Sequence, residues 1–420
     1  MTISDNPTDA FEPRSAITRT LVERGYVNQV TDLAGVDGAF AAGIVPVYAG
    51  FDATADSLHV GHLMPIMALR RLQQAGHKPI VLIGGGTTRI GDPSFRLAAR
   101  PMLSEEEIAA NVAGIRKVFE RLLTFGDGPT DAVMVNNADW LDRMAWIDML
   151  RDVGKHFSVN RMLSFDSVRS RLEQQENLSF LEFNYMILQA VDFLELFRRT
   201  GCRLQLGGGD QWGNIVSGVD LLRRIEGAEV FGMTTPLLTT ASGVKMGKTA
   251  AGAVWVNADR LSPYDYWQFW RNAEDADVVR FLKLFTELPL DEIERLGRAQ
   301  GAELNAVKER LANEATALVH GRQAADHAQR TARQAFGQGE AAAGLPTVEL
   351  DDAERTAGVM LIDLLVRAGL AASKSEARRA ISGRGVRIDG EVVEDGDGLL
   401  TVDGRPLRLS LGKKRHVVVK

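Results

Sequence analysis

The sequence predicts an α/β chain, with a parallel, doubly wound sheet first, a helical stretch after it and a small α+β module at the end. Three observations carry this. Apolar strand-like runs alternate with helix-like segments between residues 44 and 152, and the strands run into glycines. From Pro263 to Phe336 the pattern stays helical. The tail from Val359 has two short helical stretches, then short alternating segments such as Val386-Arg387-Ile388-Asp389-Gly390.

Taken in order, the first 40 residues read as a helical lead-in. Ile44 to Phe51 reads as a buried strand with a glycine near its end, and Val60 to Ala75 as a helix stopped by Gly76. Pro79 to Ile83 is a second strand, running into Gly84-Gly85-Gly86. Ser104-Glu105-Glu106-Glu107 is a capping-box pattern that opens a helix reaching Leu123. Ala132 to Val135 reads as a third strand and Trp140 to Asp152 as a helix. Sheets of this kind bind ligands at the carboxyl ends of their strands. Gly337 to Thr347, rich in Gly and Ala and containing Pro346, reads as a linker.

Bulk composition narrows the class. The chain has 420 residues, 45% hydrophobic and 25% charged, which suits a globular protein of two to three domains. A single cysteine, Cys202, excludes an intramolecular disulfide and any multi-cysteine metal site. Met1 to Pro13 is acidic and polar, unlike a secretory signal, and no apolar run approaches a membrane span. A soluble, intracellular protein is expected. Net charge is -6, yet residues 371–420 hold 11 basic and 7 acidic residues, a net of +4 that leaves -10 for the rest. A basic tail on an acidic body points to a polyanionic partner.

Two segments carry chemistry. In Tyr48 to His62 a strand ends, a polar turn follows, and a helix opens with His59 and His62 near one face of its first turn. Free N–H groups and the helix dipole make such an end an anion site, and Gly61 leaves room for a flat purine against the backbone. The second segment, Gly243-Val244-Lys245-Met246-Gly247-Lys248-Thr249, sets two lysines in a flexible loop, suited to the charge of a pyrophosphate leaving group. Either alone is weak: an isolated His-x-x-His is more often an ordinary helix start, and a pair of loop lysines is more often solvated.

Together, about 180 residues apart and in this order, they resemble the His-Ile-Gly-His and Lys-Met-Ser-Lys-Ser signatures of class I aminoacyl-tRNA synthetases. Tyr48 to His62, Gly91-Asp92-Pro93-Ser94, Gly154 to Asn160, Gly208 to Asn214 and the Lys245 loop are similar to bacterial tyrosyl-tRNA synthetases, in that family's order and near its spacing. The similarity runs from Tyr48 to the C-terminus. The tail, through Ala368-Gly369-Leu370, Ser373 to Arg379 and Gly385 to Gly390, resembles the S-four-like RNA-binding fold.

The resemblance implies a Rossmann-like catalytic domain over 1–240, with a dimer-interface insertion, and a lysine loop and α-helical domain over 241–336. A linker over 337–357 and an S-four-like domain over 358–420 complete it. It implies a tyrosine–tRNA ligase that forms tyrosyl-adenylate from tyrosine and ATP, then transfers tyrosine to the 3'-terminal adenosine of tRNA(Tyr). By position, Tyr48 and Asp192 match the pair that contacts the substrate phenol, and Asp92, Tyr185 and Gln189 match residues around the ammonium. Tyr185, Gln189 and Asp192 share one helix face by spacing. This family is itself the standing illustration of rejecting phenylalanine through an unpaired buried polar group.

Thr54, His59 and His62 match the ATP phosphate site and, with Lys245 and Lys248, form the implied catalytic set. Gly50, Asp52, Gly61, Gly208, Asp210 and Gln211 join Thr54, both histidines and Lys248 as the implied ATP contacts. Arg96 and Arg100 match a loop near pyrophosphate. Arg223 and Arg224 are candidate acceptor-stem contacts, with an ordinary solvated surface as the commoner alternative for such residues, while Lys374, Arg378 and Arg379 set cations on one side of a tail helix, where phosphate contacts give affinity rather than sequence choice. Mg2+ is expected to travel on ATP, with no metal bound tightly by protein. A cytoplasmic homodimer with its interface near Ala132 to Phe165, and no membrane association, is implied. Ala53, Arg89 and Val191 depart from the commoner residues, while Gly247 and Thr249 depart from the general class I loop but agree with bacterial tyrosyl enzymes.

Three alternatives stay open on the sequence: a tryptophanyl-type synthetase, a small-molecule nucleotidyltransferase with a related histidine start, and an RNA-binding protein on an inactive synthetase scaffold. Asp192 opposite Tyr48 and the tail weigh against the first. The late lysine loop weighs against the second, and the four retained site residues His59, His62, Lys245 and Lys248 against the third.

Overall fold

The structure is a computed structural model that describes residues 11–94, 103–243, 246–249, 252–336, 345–351, 354–355, 358–393, 398–401, 406–412 and 415–420. It divides into two compact units, Met1–Lys245 with Arg280–Leu290, and Met246–Val279 with Asp291–Lys420.

The first unit is built on a six-stranded sheet: β1 Gln29–Val30, β2 Pro46–Phe51, β3 Lys78–Ile83, β4 Val133–Asn136, β5 Leu204–Gly208 and β6 Phe231–Thr235, in the order β1-β6-β5-β2-β3-β4. β2 to β6 are mutually parallel, and β1 closes one edge antiparallel to β6. Val47, Tyr48, Ala49 and the run Ile80 to Ile83 are buried, as expected of strands covered on both faces. The chain winds from β2 through β3 to β4 on one side and from β5 to β6 on the other. Strand order therefore reverses between β2 and β5, which opens a crevice at their carboxyl ends.

Helices cover the sheet as the sequence predicts, with two informative differences. Ser104 caps Glu105–Leu122 through a capping box with Glu107, and Ile108, Ile115, Val118, Phe119 and Leu122 are buried. The helix after β2 begins as a tight 3-10 turn over Val60–His62 before Leu63–Gln74, because the two imidazoles, not a hydroxyl or carboxylate, cap it. The predicted helix Trp140 to Asp152 is broken into Ala138–Leu141, Trp146–Asp148, a wide π-type turn Met149–Val153 and a 3-10 turn Gly154–His156. Its apolar periodicity has no single core to face: Trp140 is buried, whereas Trp146, Ile147 and Leu150 are exposed.

In the second unit Ser262 caps Pro263–Arg271, with proline at the first turn where its missing N–H costs nothing. Tyr266, Trp267 and Trp270 of this helix are buried, and the long helices Glu303–His320 and Arg322–Phe336 follow. The tail holds helices Leu361–Arg367 and Lys374–Ser382 and a five-stranded sheet around the antiparallel pair Leu407–Leu411 and Arg415–Val419. Thr347–Val348 pairs parallel with Val418–Val419 at the sheet's edge, and Leu350 packs into the tail's core. The tail's sheet thus draws on chain that the sequence reading assigned to the linker 337–357. Two residues of strand carry no periodicity by which to be found.

Candidate active site

The crevice at the reversal point is lined by the segments after β2, β3 and β5. After β2, the backbone N–H of His59 donates to Nδ1 of His62 at 3.2 Å, and Nδ1 of His59 accepts from the N–H of Gly61 at 3.1 Å. The rings stack with centroids 3.9 Å apart. With Nδ1 accepting in both, each neutral imidazole carries its proton on Nε2, a donor suited to a phosphate oxygen. Gly50 is exposed although its strand neighbours Ala49 and Phe51 are buried, so the floor of the crevice there is bare backbone. Thr54 is exposed on the turn between strand and helix.

Deeper in, Asp192 is 2% exposed on helix Tyr185–Thr200. Its Oδ1 accepts from the Trp140 indole at 2.8 Å and its Oδ2 from Nδ2 of Asn137 at 3.0 Å. Burial still outweighs these donors and pushes its carboxyl up to about 7. The hydroxyl of Tyr48 is buried with no hydrogen-bond partner among the described residues. Burial first, then the charge of Asp192, holds that phenol well above its ordinary range. A buried polar group without a partner is costly, and this one lies close to a carboxylate.

Nearer the mouth, Tyr185 donates to Oδ2 of Asp52 at 3.0 Å. Its phenol is also held well above the ordinary range, by burial first and then by Asp52, Asp92 and Asp192. The carboxylates of Asp52 and Asp92 make this end of the pocket attractive to a cation. A chain of amides continues the wall. Nδ2 of Asn214 donates to Gln189 at 3.0 Å and to Gln211 at 3.1 Å, Nε2 of Gln211 donates to Asp92 at 2.8 Å, and the N–H of Ser94 also reaches Asp92 at 2.9 Å. Asp210 follows β5 in the turn Gly209–Gln211 that leads into helix Trp212–Ile225. A Cβ on Gly208 would lie 2.6 Å from its Oδ1.

The structure therefore sets Tyr48 on β2, Asp52, His59, Gly61, His62, Asp92, Asp210 and Gln211 on the segments that follow β2, β3 and β5, and Tyr185, Gln189 and Asp192 on helix Tyr185–Thr200 around one crevice. Lys245, Arg96 and Arg100 lie outside the described residues. Lys248 stands in a two-residue strand, Lys248–Thr249, paired with Gly252–Ala253. Arg223 and Arg224 end helix Trp212–Ile225 and, with Arg161, share the carboxylate of Asp220. Lys374, Arg378 and Arg379 are exposed on helix Lys374–Ser382, with Lys374 ion-paired to Asp363 at 2.6 Å.

Of the departures, Ala53 and Val191 are fully buried, and Arg89 is ion-paired to Asp142. The residues sequence reasoning missed are Thr87, Asn137, Trp140 and Asn214, which orient the carboxylates and amides of the pocket. Asn214 closes the Gly208 to Asn214 segment that carries the resemblance, whereas no local pattern marks Thr87, Asn137 or Trp140. Among the described residues no group of three or more His, Cys, Asp or Glu is arranged to hold a metal ion.

Comparison with known proteins gives the family. The family model for tRNA synthetases class I (W and Y) matches residues 43–337, and that for the S4 domain matches residues 361–403. A tyrosine–tRNA ligase of Zymomonas mobilis is 60% identical over 407 residues, covering 97% of this chain and 98% of that protein. One of Cereibacter sphaeroides is 57% identical over 412 residues, covering 98% and 99%. A solved C-terminally truncated mitochondrial tyrosyl-tRNA synthetase of Aspergillus nidulans superposes with a TM-score of 0.69 at 32% identity, covering 76% of this chain and 94% of that one. At such identity across nearly the full length of both proteins, the chain belongs to the tyrosine–tRNA ligases among the class I aminoacyl-tRNA synthetases.

Proposed function

We propose that the chain activates L-tyrosine with ATP and charges tRNA(Tyr) with it. The observation that carries this reading is the buried hydroxyl of Tyr48, unpartnered and close to an Asp192 carboxylate that Asn137 and Trp140 hold in place. A substrate phenol between them would donate to Asp192 and accept from Tyr48, satisfying both. Neither tryptophan nor phenylalanine carries a phenol to do so. The ammonium would meet the carboxylates of Asp52 and Asp92 near Tyr185, with Gln189 beside it.

In the first step a carboxylate oxygen of tyrosine attacks the α-phosphorus of ATP, the bond to the β-phosphate breaks, and pyrophosphate leaves. In the second a ribose hydroxyl of the terminal tRNA adenosine attacks the adenylate carbonyl and AMP leaves. No protein nucleophile is needed. Catalysis is positioning together with stabilisation of phosphate charge. His59 and His62 offer Nε2–H donors, Thr54 a hydroxyl, and Lys245 and Lys248 cations for the leaving group, with Arg96 and Arg100 serving the pyrophosphate. Gly50 and Gly61 leave room for the nucleotide, and Gly208, Asp210 and Gln211 form its far wall. A magnesium ion accompanying ATP would take its ligands from the triphosphate oxygens. ATP–pyrophosphate exchange with each of the twenty amino acids, without tRNA, tests the reading. Exchange with tyrosine alone is expected; exchange with tryptophan, or with none, overturns it.

For tRNA, three guanidiniums around one carboxylate leave net positive charge beside a cavity of about 130 Å³ lined in part by Lys155, His156, Arg161 and Arg224. Backbone phosphates suit that surface and the exposed cations Lys374, Arg378 and Arg379. The proposed division is a catalytic region to about residue 240, a helical region to 336 and an RNA-binding tail that includes the strand at Thr347. A cytoplasmic setting fits this role, and no described helix is long and apolar enough to cross a membrane.

A homodimer is proposed on the exposed apolar side chains Trp146, Ile147, Leu150, Phe180 and Leu181, where Trp146 and Phe180 meet edge to face at 6.2 Å. Such a patch on a monomer marks an interface. Ile147, 68% exposed, is the side chain to change. Ile147→Glu is expected to convert a dimer into a folded 45.9 kDa monomer in light scattering. A folded variant that stays dimeric removes this surface from the interface.

A further inference from the structure

Asp192 and Asp52 belong to different ends of the pocket, yet one hydroxyl stands between them. Thr87, 2% exposed, opens the 3-10 turn Thr87–Arg89 after the glycine run that ends β3. Its Oγ1 donates to Oδ1 of Asp52 at 2.9 Å and accepts from Nδ2 of Asn137 at 3.0 Å. That same Nδ2 donates to Oδ2 of Asp192 at 3.0 Å. Oδ1 of Asn137 accepts the N–H of Gly86 at 2.8 Å, which fixes which way the amide faces. An amide nitrogen only donates, so the single proton of Thr87 goes to Asp52, and the amide's two protons go to Thr87 and Asp192. Turning the Thr87 hydroxyl away would break its bonds to Asp52 and Asn137 together.

We propose that Thr87 is a positioning residue that couples the phenol-reading carboxylate Asp192 to the reaction-end carboxylate Asp52. The proposal rests on the pocket reading above. Its physical content is directional. If the hydroxyl is lost, Asn137 loses one acceptor and its grip on Asp192 loosens, while Asp52 loses a donor beside Tyr185. Gly84 reinforces the arrangement, since a Cβ there would lie 2.2 Å from Oδ1 of Asp52 and 2.5 Å from Oγ1 of Thr87. The titratable and charged groups facing Asp192 are Tyr48 from β2, Asp52 beyond it, and Tyr185 and Glu195 from its own helix. Among them the Asn137 hydrogen bond acts to hold the carboxyl down against burial. Weakening it raises the pH at which Asp192 ionises.

The test compares Thr87→Val, nearly the same shape without the hydroxyl, with Thr87→Ser, which keeps it. The readouts are the pH profile of kcat/KM for tyrosine and the tyrosine-to-phenylalanine ratio in pyrophosphate exchange. Thr87→Val is expected to shift the acidic limb of the profile upward and to lower the ratio by about tenfold, as loss of one hydrogen bond to a charged system would. Thr87→Ser is expected to restore both. A purely structural role would lower the melting temperature and leave limb and ratio alone. Should Thr87→Val fail to fold, Thr87→Ala carries the same comparison. Asp192→Asn is run beside them. A folded Thr87→Val with unchanged limb and ratio, next to an Asp192→Asn that has lost the ratio, overturns the coupling while the pocket assignment stands. An Asp192→Asn with an unchanged ratio overturns the pocket assignment, and the coupling with it.

Discussion

Replacing Asp192 by asparagine is expected to lower kcat/KM for tyrosine by about 10²- to 10⁴-fold, with the protein still folded. The carboxylate accepts from Trp140 and Asn137, and the proposed phenol adds a third donor. An amide has one oxygen and turns an NH₂ toward groups that also donate. Leaving two buried donors without an acceptor costs about 3–5 kcal/mol in total. Phenylalanine brings no phenol and loses less, so the tyrosine-to-phenylalanine ratio should collapse with it. Steady-state pyrophosphate exchange on both amino acids measures this, and an unchanged ratio would remove Asp192 from phenol recognition.

The same substitution has a signature in pH. The carboxyl of Asp192 stands at about 7 in the folded protein against an ordinary 3.8, chiefly because it is buried. Between those values the folded chain holds a proton that the unfolded chain has released. Stability contributed by this group therefore falls as pH rises from 4 toward 7, by on the order of 4 kcal/mol, and is flat above. Asp192→Asn should erase that slope in denaturant titrations of the free enzyme. For the reaction, ionised Asp192 is the acceptor the phenol needs, whereas phenylalanine sets an apolar ring edge against that buried charge. The tyrosine-to-phenylalanine ratio of the unaltered enzyme should therefore rise with pH through about 7. A ratio that is flat across that range argues that the carboxyl is already ionised at lower pH.

Gly114→Ala is expected to destabilise the first unit by about 1–3 kcal/mol, although alanine is the better helix former. Gly114 lies on helix Glu105–Leu122 where it packs against the turn between β2 and His59. A Cβ there would stand 2.0 Å from the carbonyl oxygen of Asp56. That atom is backbone and cannot swing aside. Nδ2 of Asn111 on the same helix donates to the carbonyl of Ala53 at 2.8 Å, so helix and turn must separate together. Thr54 and His59 move with the turn, and the KM for ATP should rise about tenfold. Tyrosine recognition by Tyr48, Tyr185 and Asp192 lies on β2 and helix Tyr185–Thr200, outside that turn, so tyrosine binding should change much less than ATP binding in equilibrium dialysis. A higher melting temperature in Gly114→Ala would mean that helix propensity wins and that the close approach is not a constraint.

Much of this architecture follows from local pattern. Short apolar runs such as Ile80 to Ile83 that end in glycines and alternate with helical segments suit strands covered on both faces, as in a parallel sheet with helices on either side. Ser104 and Glu107 mark a helix start because the four orphan N–H groups need partners close by in sequence. The spacing of Tyr185, Gln189 and Asp192 puts them on one helix face wherever that helix packs. The histidine start and the lysine loop together point to phosphate chemistry from local sequence alone.

Tertiary structure alone decided which groups meet. Asn137 and Asp192 are 55 residues apart in sequence and Gln211 and Asp92 are 119 apart, and each pair is joined by which strands neighbour which in the sheet. The break in 140–152 arises because Trp140 turns inward to a buried carboxylate while Trp146 and Ile147 face out, a choice that periodicity cannot encode. Thr347–Val348 becomes a strand only because Val418–Val419 offers it an edge. Local sequence reports the preference of a segment for a shape and for one apolar face. The direction of a hydrogen bond between distant polar groups is set by the packing that buries them, and on it depends which carboxylate the substrate meets.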